Sequence, residues 1–415
     1  MSVLGIIVEY NPFHNGHLHL IKEATKKENF QGIICVMSGN FLQRGEPALC
    51  HKWARAEMAL AAGADLIIEL PFCFAVRSAY YFARGGVSLL ASTGIVSHIA
   101  FGSESGDLEK LNTLADYWQE ETPLFKSRLK HYLDQGLNFP AARSRALEDI
   151  LDEQEDLKDF IKNPNDILGV EYLRNIKEKK LDIKPIVIKR TGSGYHSTEL
   201  GKIASATAIR QALKNNLPLS RIKESLPETS FKILKTEIEK GYAPVFEEEL
   251  GNLILFKLRT MPEKDLINIY EIKEGLEGRF KKAAFKSADI EELRQNIKTK
   301  RYSMTRINRT LLYALFDFTW KQAQLFDEYG PQYIRILGFS ETGQKLLKKI
   351  KKTSPLPVIS RGSEVKKALT KSENPVLREM LSLDVKAGNI YSLLYPRINL
   401  RQGGQDFTAE VVRKG

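Results

Sequence analysis

Two histidines near the start of the chain are spaced so that both could contact one phosphate group. They occur in the segment NPFHNGH (residues 11–17), between an apolar run at residues 3–8 and an amphipathic helical pattern. This places His14 and His17 where a buried strand passes into a helix N-terminus, whose N–H groups and positive dipole end attract anions. Gly16 allows close backbone approach, and imidazoles can donate hydrogen bonds to phosphoryl oxygens. Such a pair can be purely structural, but the proline, the glycine and the strand–helix junction favour a nucleotide-phosphate site.

The hydrophobic pattern of the first half predicts strands that alternate with helices. After the first strand, the predicted elements are strands Gly32–Met37, Asp65–Leu70, Val96–Phe101 and Pro185–Ile188, and helices at about His51–Ala62 and Ser78–Ala91. Strands separated by helices indicate βαβ units and a parallel sheet, in which ligands bind beyond the carboxyl ends of the strands. Polar or glycine-containing residues follow these strands at 11–17, 38–40, 102–104 and Arg190. We therefore predict a single crevice at this edge of the sheet.

Length and composition are those of an ordinary globular protein with two or three domains. The chain has 415 residues, of which 43% are hydrophobic and 27% charged, and no apolar run approaches the ~20 residues that a membrane span requires. The first strand begins almost at once, so no signal peptide is expected. The three cysteines, Cys35, Cys50 and Cys73, lack metal-site spacing. A reducing cytoplasmic setting is predicted, without membrane association.

The positive charge of the chain is concentrated in its second half. Residues 1–200 contain 23 Lys and Arg against 26 Asp and Glu, a net charge of −3, whereas residues 201–415 contain 39 against 25, a net charge of +14. Dispersed, solvated lysines would explain this simply. A polyanionic partner such as RNA is the alternative, because phosphate neutralisation requires concentrated positive charge.

These patterns predict an α/β protein: a Rossmann-like parallel-sheet domain, which the motif resemblance described below implies is a nucleotidylyltransferase domain, followed by a mostly α-helical basic C-terminal domain. The first domain is expected at residues 1–215, with a helical insertion at about 105–180. The second is expected at 216–415, where the pattern is mainly helical. Ser205 is a good N-cap for a helix that begins with the segment SATAIR (residues 205–210).

Two levels of family resemblance follow from these motifs. NPFHNGH paired with SATAIR resembles the nucleotidylyltransferase superfamily, although Asn11 stands where an acidic residue is common. Three longer segments resemble the bacterial tRNA(Met) cytidine acetate ligase family, and the likeness covers nearly the whole chain. They are SGNFLQRGEPA (38–48), NDILGVEYL (165–173) and YIRILGF (333–339).

The family resemblance implies a specific ligase reaction. It implies ATP-dependent activation of acetate and N4-acetylation of the wobble cytidine, position 34, of elongator tRNA(Met). The reaction would proceed through acetyl-adenylate and would release AMP and pyrophosphate. Mg²⁺ is expected with ATP, although no acidic cluster in the sequence indicates dedicated ligands. The sequence does not indicate the oligomeric state.

The candidate residues of the ATP site come partly from chemistry and partly from this resemblance. His14 and His17 are the candidate catalytic residues. Ser205, Thr207 and Arg210 are predicted to hold the β- and γ-phosphates through hydroxyls, helix N-terminal N–H groups and a guanidinium. The resemblance implies that the other ATP-binding residues are Ile7, Val8, Glu9, Tyr10, Asn11, Pro12, Phe13, Asn15, Gly16, Leu18, His19, Leu20, Gly102, Asn165 and Arg190. The alternatives for the last three are a strand-end turn, a helix cap and a surface ion pair.

The strongest RNA-binding candidate is the basic segment at residues 298–309. Arg306 and Arg309 are three residues apart and share a helix face, with Tyr302 available for base stacking. A solvated helix face is the alternative. The predicted tRNA-binding residues are Lys281, Lys282, Lys300, Arg301, Arg306 and Arg309.

Two other functions remain open at this point. A small-molecule nucleotidylyltransferase that makes a nucleotide cofactor would not require so large a basic extension. A non-catalytic RNA-binding protein would not require both phosphate motifs to be intact. Acetate-dependent ATP–pyrophosphate exchange would distinguish the ligase from the first of these, and RNA binding without any turnover would indicate the second.

Overall fold

Eight strands form one mixed sheet. The computed structural model describes residues 2–120, 122–150, 157, 160, 163–190, 201, 204–273 and 275–414. The strands are β1 (Leu4–Val8), β2 (Ile33–Ser38), β3 (Leu66–Leu70), β4 (His98–Ser103), β5 (Lys184–Lys189), β6 (Ile334–Phe339), β7 (Val358–Ile359) and β8 (Val412–Arg413). They lie in the order β5-β4-β1-β2-β3-β6-β7, and β8 pairs with β6.

Helices surround the sheet along the whole chain. Those of the first half are α1 (Asn15–Lys27), α2 (Lys52–Ala61), α3 (Phe72–Ala75), α4 (Ala79–Ser92), α5 (Leu108–Glu120), α6 (Pro123–Asp134), α7 (Phe139–Ile150), α8 (Pro164–Glu178) and α9 (Ala206–Lys214). Those of the second half are α10 (Glu228–Lys240), α11 (Glu248–Thr260), α12 (Glu263–Leu266), α13 (Leu276–Lys286), α14 (Ile290–Ile297), α15 (Met304–Phe316), α16 (Trp320–Tyr329), α17 (Glu341–Thr353), α18 (Gly362–Lys371), α19 (Pro375–Ser392) and α20 (Gln405–Thr408). Among the described residues, 3₁₀ helices lie at Leu219–Ser225 and Ile398–Leu400.

The first five strands run parallel, as the alternating pattern predicted. β1 pairs with β2 on one side and β4 on the other, with Leu4 opposite both Ile33 and His98. The strand order therefore changes direction at β1, which is the topological switch point where such sheets bind ligands. Every residue of β1 is buried, because packing on both faces of a parallel sheet favours a continuous apolar run. The predicted strand bounds differ by one or two residues, as for β4.

The predicted helical insertion contains α5 to α8. Thr122 caps α6 by accepting a hydrogen bond from Phe125 N over 3.2 Å, and a proline occupies its first turn. A proline also begins α8, because its fixed φ suits the first helical position. Between α7 and α8, residues 151–156, 158–159 and 161–162 lie outside the described part of the chain.

The second half of the chain adds strands to the sheet of the first. β6, which lies in the segment YIRILGF, pairs antiparallel with β3, with Phe339 opposite Leu66. β7 and β8 then pair parallel with β6. The expectation of a mainly helical second half omitted these three strands, because two of them have only two residues each. The boundary near residue 215 stays a prediction.

A buried cluster of charges joins the two halves of the chain. Lys52 Nζ lies 2.8 Å from Glu69 Oε1 and 2.6 Å from Asp406 Oδ1. Arg335 Nη2 in turn lies 2.6 Å from Asp406 Oδ1, and Arg335 Nη1 lies 3.3 Å from Glu69 Oε2. Each side chain is at most 5% exposed. Because buried charges require close partners, the β3–β6 junction depends on this cluster, which is called the junction cluster below.

Candidate active site

A cleft of about 230 Å³ opens at the carboxyl ends of β1, β4 and β5. The turn after β1 and the start of α1 form its floor, and the start of α9 borders it. All of the predicted ATP-binding residues line this cleft except Pro12, Phe13, Asn15 and Leu18. The crevice predicted from the strand ends is present for the segment 11–17, Gly102 and Arg190, whereas residues 38–40 and 103–104 are not among its lining residues. The roles of its residues stay predictions.

The hydrogen bonds of His14 and His17 fix which ring nitrogen carries the proton. His14 is the N-cap of α1, and its Nδ1 accepts a hydrogen bond from Gly16 N over 3.0 Å. His17 Nδ1 accepts one from His14 N over 3.2 Å, and the two rings stack with centroids 3.7 Å apart. Because each Nδ1 is an acceptor, each neutral ring carries its proton on Nε2. Both rings can thus act as Nε2–H donors.

The surroundings of these histidines keep both rings uncharged. Burial lowers the pKa of His14 from 6.5 to about 3, with further lowering by Arg190 and Arg210. Burial also holds the pKa of His17 well below its usual value, and His14 and Arg190 lower it further. Neutral donors of this kind suit a site that must bind a polyanion next to arginines, because additional positive charge would repel those arginines.

Two of the four predicted residues that do not line the cleft, Phe13 and Asn15, make contacts that hold the histidine motif in place. Phe13 is fully buried and packs on Tyr10 and His17, with ring centroids 4.6 Å and 5.5 Å away. Asn15 Nδ2 donates to Glu224 O over 2.7 Å, which links the start of α1 to the first 3₁₀ helix. The Asn11–Pro12 peptide is cis.

The start of α9 places polar groups opposite the histidines. Ser205 caps this helix by accepting a hydrogen bond from Ala208 N over 3.1 Å, and Thr207 lines the cleft. Arg210 donates to Asn11 O over 3.1 Å and to Glu46 Oε1 over 3.0 Å. The SATAIR segment therefore lies against the NPFHNGH segment, although about 190 residues separate them in the sequence.

The remaining predicted residues complete the far wall of the cleft. Gly102 lies beside Arg190, since a Cβ built on Gly102 would be 3.3 Å from Arg190 Cγ. Asn165 Nδ2 donates to Glu104 Oε1 over 2.6 Å, which ties the start of α8 to the end of β4. The structure thus brings the ends of β1, β4 and β5 together with the starts of α1, α8 and α9.

Sequence reasoning missed two groups of cleft residues. Gln43, Arg44 and Glu46 come from the loop after β2, and the only indication of them was their place in the segment SGNFLQRGEPA. The second group consists of apolar and aromatic residues that resemble ordinary core in the sequence: Ala79, Phe82, Phe101, Leu168 and Tyr172. Such a surface can take the flat face of a nucleobase.

One buried arginine holds together the backbone from which the cleft is built. Arg55 in α2 is fully buried and donates to Glu9 O over 2.5 Å, Ser38 O over 3.1 Å and Cys50 O over 3.1 Å. It also donates to the carbonyl of Gly39. These carbonyls belong to the ends of β1 and β2 and to the loop that follows β2. Arg55 therefore fixes the position of the histidine turn relative to this loop.

The predicted RNA-binding residues lie in different surroundings. Arg306 stacks over Tyr302, 4.9 Å from the ring centroid, and pairs with Glu271 over 3.2 Å. Arg309 Nη1 donates to Gln43 O over 3.4 Å, so α15 contacts the cleft loop. Lys282, Lys300 and Arg301 are exposed.

Lys281 has a structural partner. Its Nζ donates to the carbonyls of Leu258, Arg259 and Met261 over 2.8, 3.2 and 2.7 Å. These carbonyls lie at the C-terminus of α11, where a cation compensates unpaired acceptors. This contact competes with the predicted role of Lys281 in RNA binding.

No group of three or more His, Cys, Asp or Glu side chains in the described residues could hold a metal ion. Mg²⁺ commonly binds through the phosphates of a nucleotide and keeps several waters, so its expected presence with ATP does not require such a group. Among the described helices, none is long and apolar enough to cross a membrane.

Comparison with known proteins identifies the family. The family model of the HIGH Nucleotidyl Transferases matches residues 1–406. The tRNA(Met) cytidine acetate ligase of Syntrophomonas wolfei is 51% identical over 99% of both chains, and that of Halothermothrix orenii is 45% identical over 100% of both.

The fold agrees with this identification. The crystal structure of apo Thermotoga maritima TmcAL matches with a TM-score of 0.94 at 38% identity, covering 100% of this chain and 99% of that one. TmcAL bound with alpha-thio ATP matches with a TM-score of 0.91 over the same shares. The predicted family, fold class and ligase assignment are confirmed. With a cleft built around paired histidine donors and relatives of this identity over its full length, the chain belongs to the tRNA(Met) cytidine acetate ligase family.

Proposed function

We propose that this protein joins acetate to N4 of the wobble cytidine, position 34, of elongator tRNA(Met) in the cytoplasm, at the expense of ATP. The products are N4-acetylcytidine in the tRNA, AMP and pyrophosphate. The observation that carries the proposal is the pair of neutral Nε2–H donors facing the start of α9 across one cleft. The full-length likeness to relatives that bear the name of this ligase supports the choice of substrates.

In the first step an acetate oxygen attacks the α-phosphorus of ATP. A bond forms between this oxygen and phosphorus, the bond from phosphorus to the bridging oxygen breaks, and pyrophosphate leaves. The developing charge on the phosphoryl oxygens requires positioned donors rather than a protein nucleophile. His14, His17, Ser205, Arg190 and Arg210 supply imidazole N–H, hydroxyl and guanidinium donors around the cleft.

In the second step N4 of the cytidine attacks the acetyl carbon of acetyl-adenylate. The N–C bond forms, the bond from the acetyl carbon to the adenylate oxygen breaks, and AMP leaves. The net charge of +14 on residues 201–415 favours binding of the tRNA phosphates in this step. Mg²⁺, when bound with ATP, supplies further charge neutralisation at the phosphates.

Mass spectrometry of tRNA provides the decisive experiment. Elongator tRNA(Met) incubated with the protein, ATP and isotopically labelled acetate should gain one labelled acetyl group at cytidine 34. Acetyl-CoA in place of ATP and acetate should give no product, and initiator tRNA is the substrate control. Transfer from acetyl-CoA alone would overturn the proposal. Nucleotide transfer to a small molecule, or tRNA binding without turnover, would identify one of the two alternative functions.

A further inference from the structure

One carboxylate lies at the point where β1 ends and faces the cleft. Glu9 lines the cleft and is partly exposed, and its Oε1 accepts a hydrogen bond from Gln43 N over 2.8 Å. Arg55 holds its backbone carbonyl over 2.5 Å. In the described part of the chain, no hydrogen bond or ion pair engages Oε2. Glu9 is thus a positioned carboxylate with one oxygen available to a bound molecule.

Glu9 connects the histidine turn with the loop that the second half of the chain contacts. The turn with His14 follows it directly, and Gln43 binds its Oε1 from the loop after β2. That loop packs against α15 so closely that a Cβ on Gly45 would be 2.5 Å from Arg309 N. Glu9 therefore contacts the loop that joins the cleft to the basic half of the chain.

The second step of the proposed reaction requires an acceptor for a proton. As N4 forms a bond to the acetyl carbon, one of its two protons must leave, because the product amide is neutral. A base that takes this proton assists the attack, since the cytosine amino group is a weak nucleophile. His14 and His17 are not suited to this task, since their Nδ1 atoms already accept hydrogen bonds and their Nε2 atoms carry protons. Glu46, the other carboxylate that lines the cleft, pairs with Arg210 over 3.0 Å.

We propose that Glu9 is the general base of acetyl transfer, an inference that rests on the proposed function. Its Oε2 takes the proton from N4 while the N–C bond forms and the bond to the adenylate oxygen breaks. AMP leaves with the electron pair of the broken bond, and Glu9 then releases the proton to solvent. Burial is the largest influence on the Glu9 carboxyl and raises its pKa above its usual value, which strengthens it as a base. Glu46 raises the pKa further, whereas the hydrogen bond from Gln43 and the charges of Arg210 and Arg44 act in the opposite direction.

The test measures the two half-reactions of Glu9→Gln separately. Acetate-dependent ATP–pyrophosphate exchange without tRNA reports the first step. Single-turnover transfer from the preformed acetyl-adenylate complex to tRNA reports the second. Transfer should fall about 10²–10⁴-fold relative to exchange. The residual transfer should also lose the acid limb of its pH profile, and Glu9→Asp should recover part of the rate.

Three outcomes would overturn this role. Equal losses in both half-reactions would make Glu9 a ligand of ATP or its metal, and transfer within threefold of wild type would show that no base is needed. An unchanged pH profile of transfer in Glu9→Gln would also exclude Glu9 as the general base. Glu46→Gln is the matched control, since it should change exchange and transfer together. Wild-type protein that neither exchanges nor acetylates would instead refute the proposed function itself.

A second groove lies at the opposite edge of the sheet. It has a volume of about 860 Å³ and lies between α17, the start of α18 and β8. Phe339, at the end of β6, lines it and pairs with the first residue of β3, so the groove lies away from the carboxyl ends of the parallel strands. Its lining includes four cations, Lys348, Lys351, Arg361 and Arg413, and one carboxylate, Glu410.

The positive charge of this groove is not neutralised by nearby carboxylates. Within the described ranges, none of the four cations forms an ion pair, whereas most buried arginines of this protein do. Arg413 lies 5.8 Å from the Phe339 ring centroid. We infer that this groove binds the sugar–phosphate backbone of the tRNA at a distance from the reacting base, because phosphates are the natural partners of clustered, unpaired cations.

The test compares two triple variants with the same change in charge. Lys348→Ala/Lys351→Ala/Arg361→Ala removes groove cations, and Lys345→Ala/Lys352→Ala/Lys366→Ala removes exposed cations of the same helices outside the groove. The groove variant should weaken binding of full-length tRNA at least tenfold and reduce the slope of log K against log salt by about two to three. It should leave the affinity for an anticodon stem-loop within twofold. Equal effects of both variants, or an equal loss with the stem-loop, would refute the inference.

Discussion

Arg55 Nη1 donates to the backbone carbonyl of Glu9 over 2.5 Å. The same guanidinium binds the carbonyls at the end of β2 and in the loop beyond it. The fully buried Arg55 guanidinium thus holds the backbone around the cleft in place through neutral carbonyl acceptors. Burial lowers the pKa of Arg55, and the nearby Cys50 and Tyr391 act in the opposite direction.

Replacing Arg55 should damage stability and activity together. Arg55→Lys keeps the charge but loses the forked geometry, which leaves buried carbonyls without donors. We expect the free energy of unfolding to fall by roughly 3–5 kcal/mol. Urea unfolding and ATP–pyrophosphate exchange provide the measurements. Arg128→Lys, at a side chain that is 50% exposed, is the control and should change stability by less than about 0.5 kcal/mol. Equal stability of both variants would contradict this role for Arg55.

His14→Ala and His17→Ala should each slow adenylate formation. Loss of one transition-state donor typically costs about 10²–10³ in rate. Circular dichroism should show an intact fold, and acetate-dependent exchange should show the loss. His131→Ala, at an exposed histidine of α6, is the control. Rates near wild type in both variants would show that these histidines have only a structural role.

The buried, neutral histidines should also make the protein less stable in acid. The pKa of His14 is about 3 in the folded protein and about 6.5 when unfolded. Between these values the unfolded chain binds more protons, so the free energy of unfolding falls as the pH decreases. His14→Gln should remove about 2 kcal/mol of the loss between pH 7 and pH 5. Urea unfolding at both pH values measures this difference in the free energy of unfolding. An unchanged pH dependence in the variant would contradict the prediction.

The predicted RNA patch on α15 can be separated from the chemistry. Arg306→Ala/Arg309→Ala should weaken tRNA binding and reduce the slope of log K against log salt by about one for each lost phosphate contact. Acetyl-adenylate formation without tRNA should survive. Because Arg306 already pairs with Glu271, Lys300→Ala/Arg301→Ala is an informative companion. Unchanged tRNA affinity at two salt concentrations would exclude the α15 patch.

Gly45 should tolerate no side chain. Its φ is +76°, and a Cβ there would lie 2.5 Å from both Arg309 N and Asn308 C. Gly45→Ala should therefore push the cleft loop away from α15 and destabilise the protein by roughly 1–3 kcal/mol. Gly136→Ala is a matched control, since Gly136 also has a positive φ, +82°, but nothing lies within 4 Å of its Cβ position. Thermal unfolding of the two variants should separate the effect of the steric clash from that of backbone strain. Equal shifts in the melting temperature would show that the clash has no effect.

The local features of this protein are those that the sequence could predict. His14 and His17 stand out because the strand, turn and helix that position them are adjacent in sequence. The approach of Arg210 to Asn11 could be expected only from the family resemblance. Arg55 gave no such indication, because an arginine within a helix pattern is typical of a surface. Its burial depends on three chain segments that meet only in the folded protein. The strand β6 was missed for the same reason, since its partner lies about 270 residues earlier.

The junction cluster has a consequence for the order in which the protein is made. Lys52 and Glu69 emerge from the ribosome first, whereas Arg335 and Asp406 lie more than 260 residues further along the chain and emerge later. Until β6 is synthesised, β3 is an unpaired edge strand that carries charged groups buried in the folded protein. Unpaired edge strands promote aggregation. The junction cluster is therefore complete only after Asp406 has been synthesised, and β3 lacks its antiparallel partner until β6 has been made.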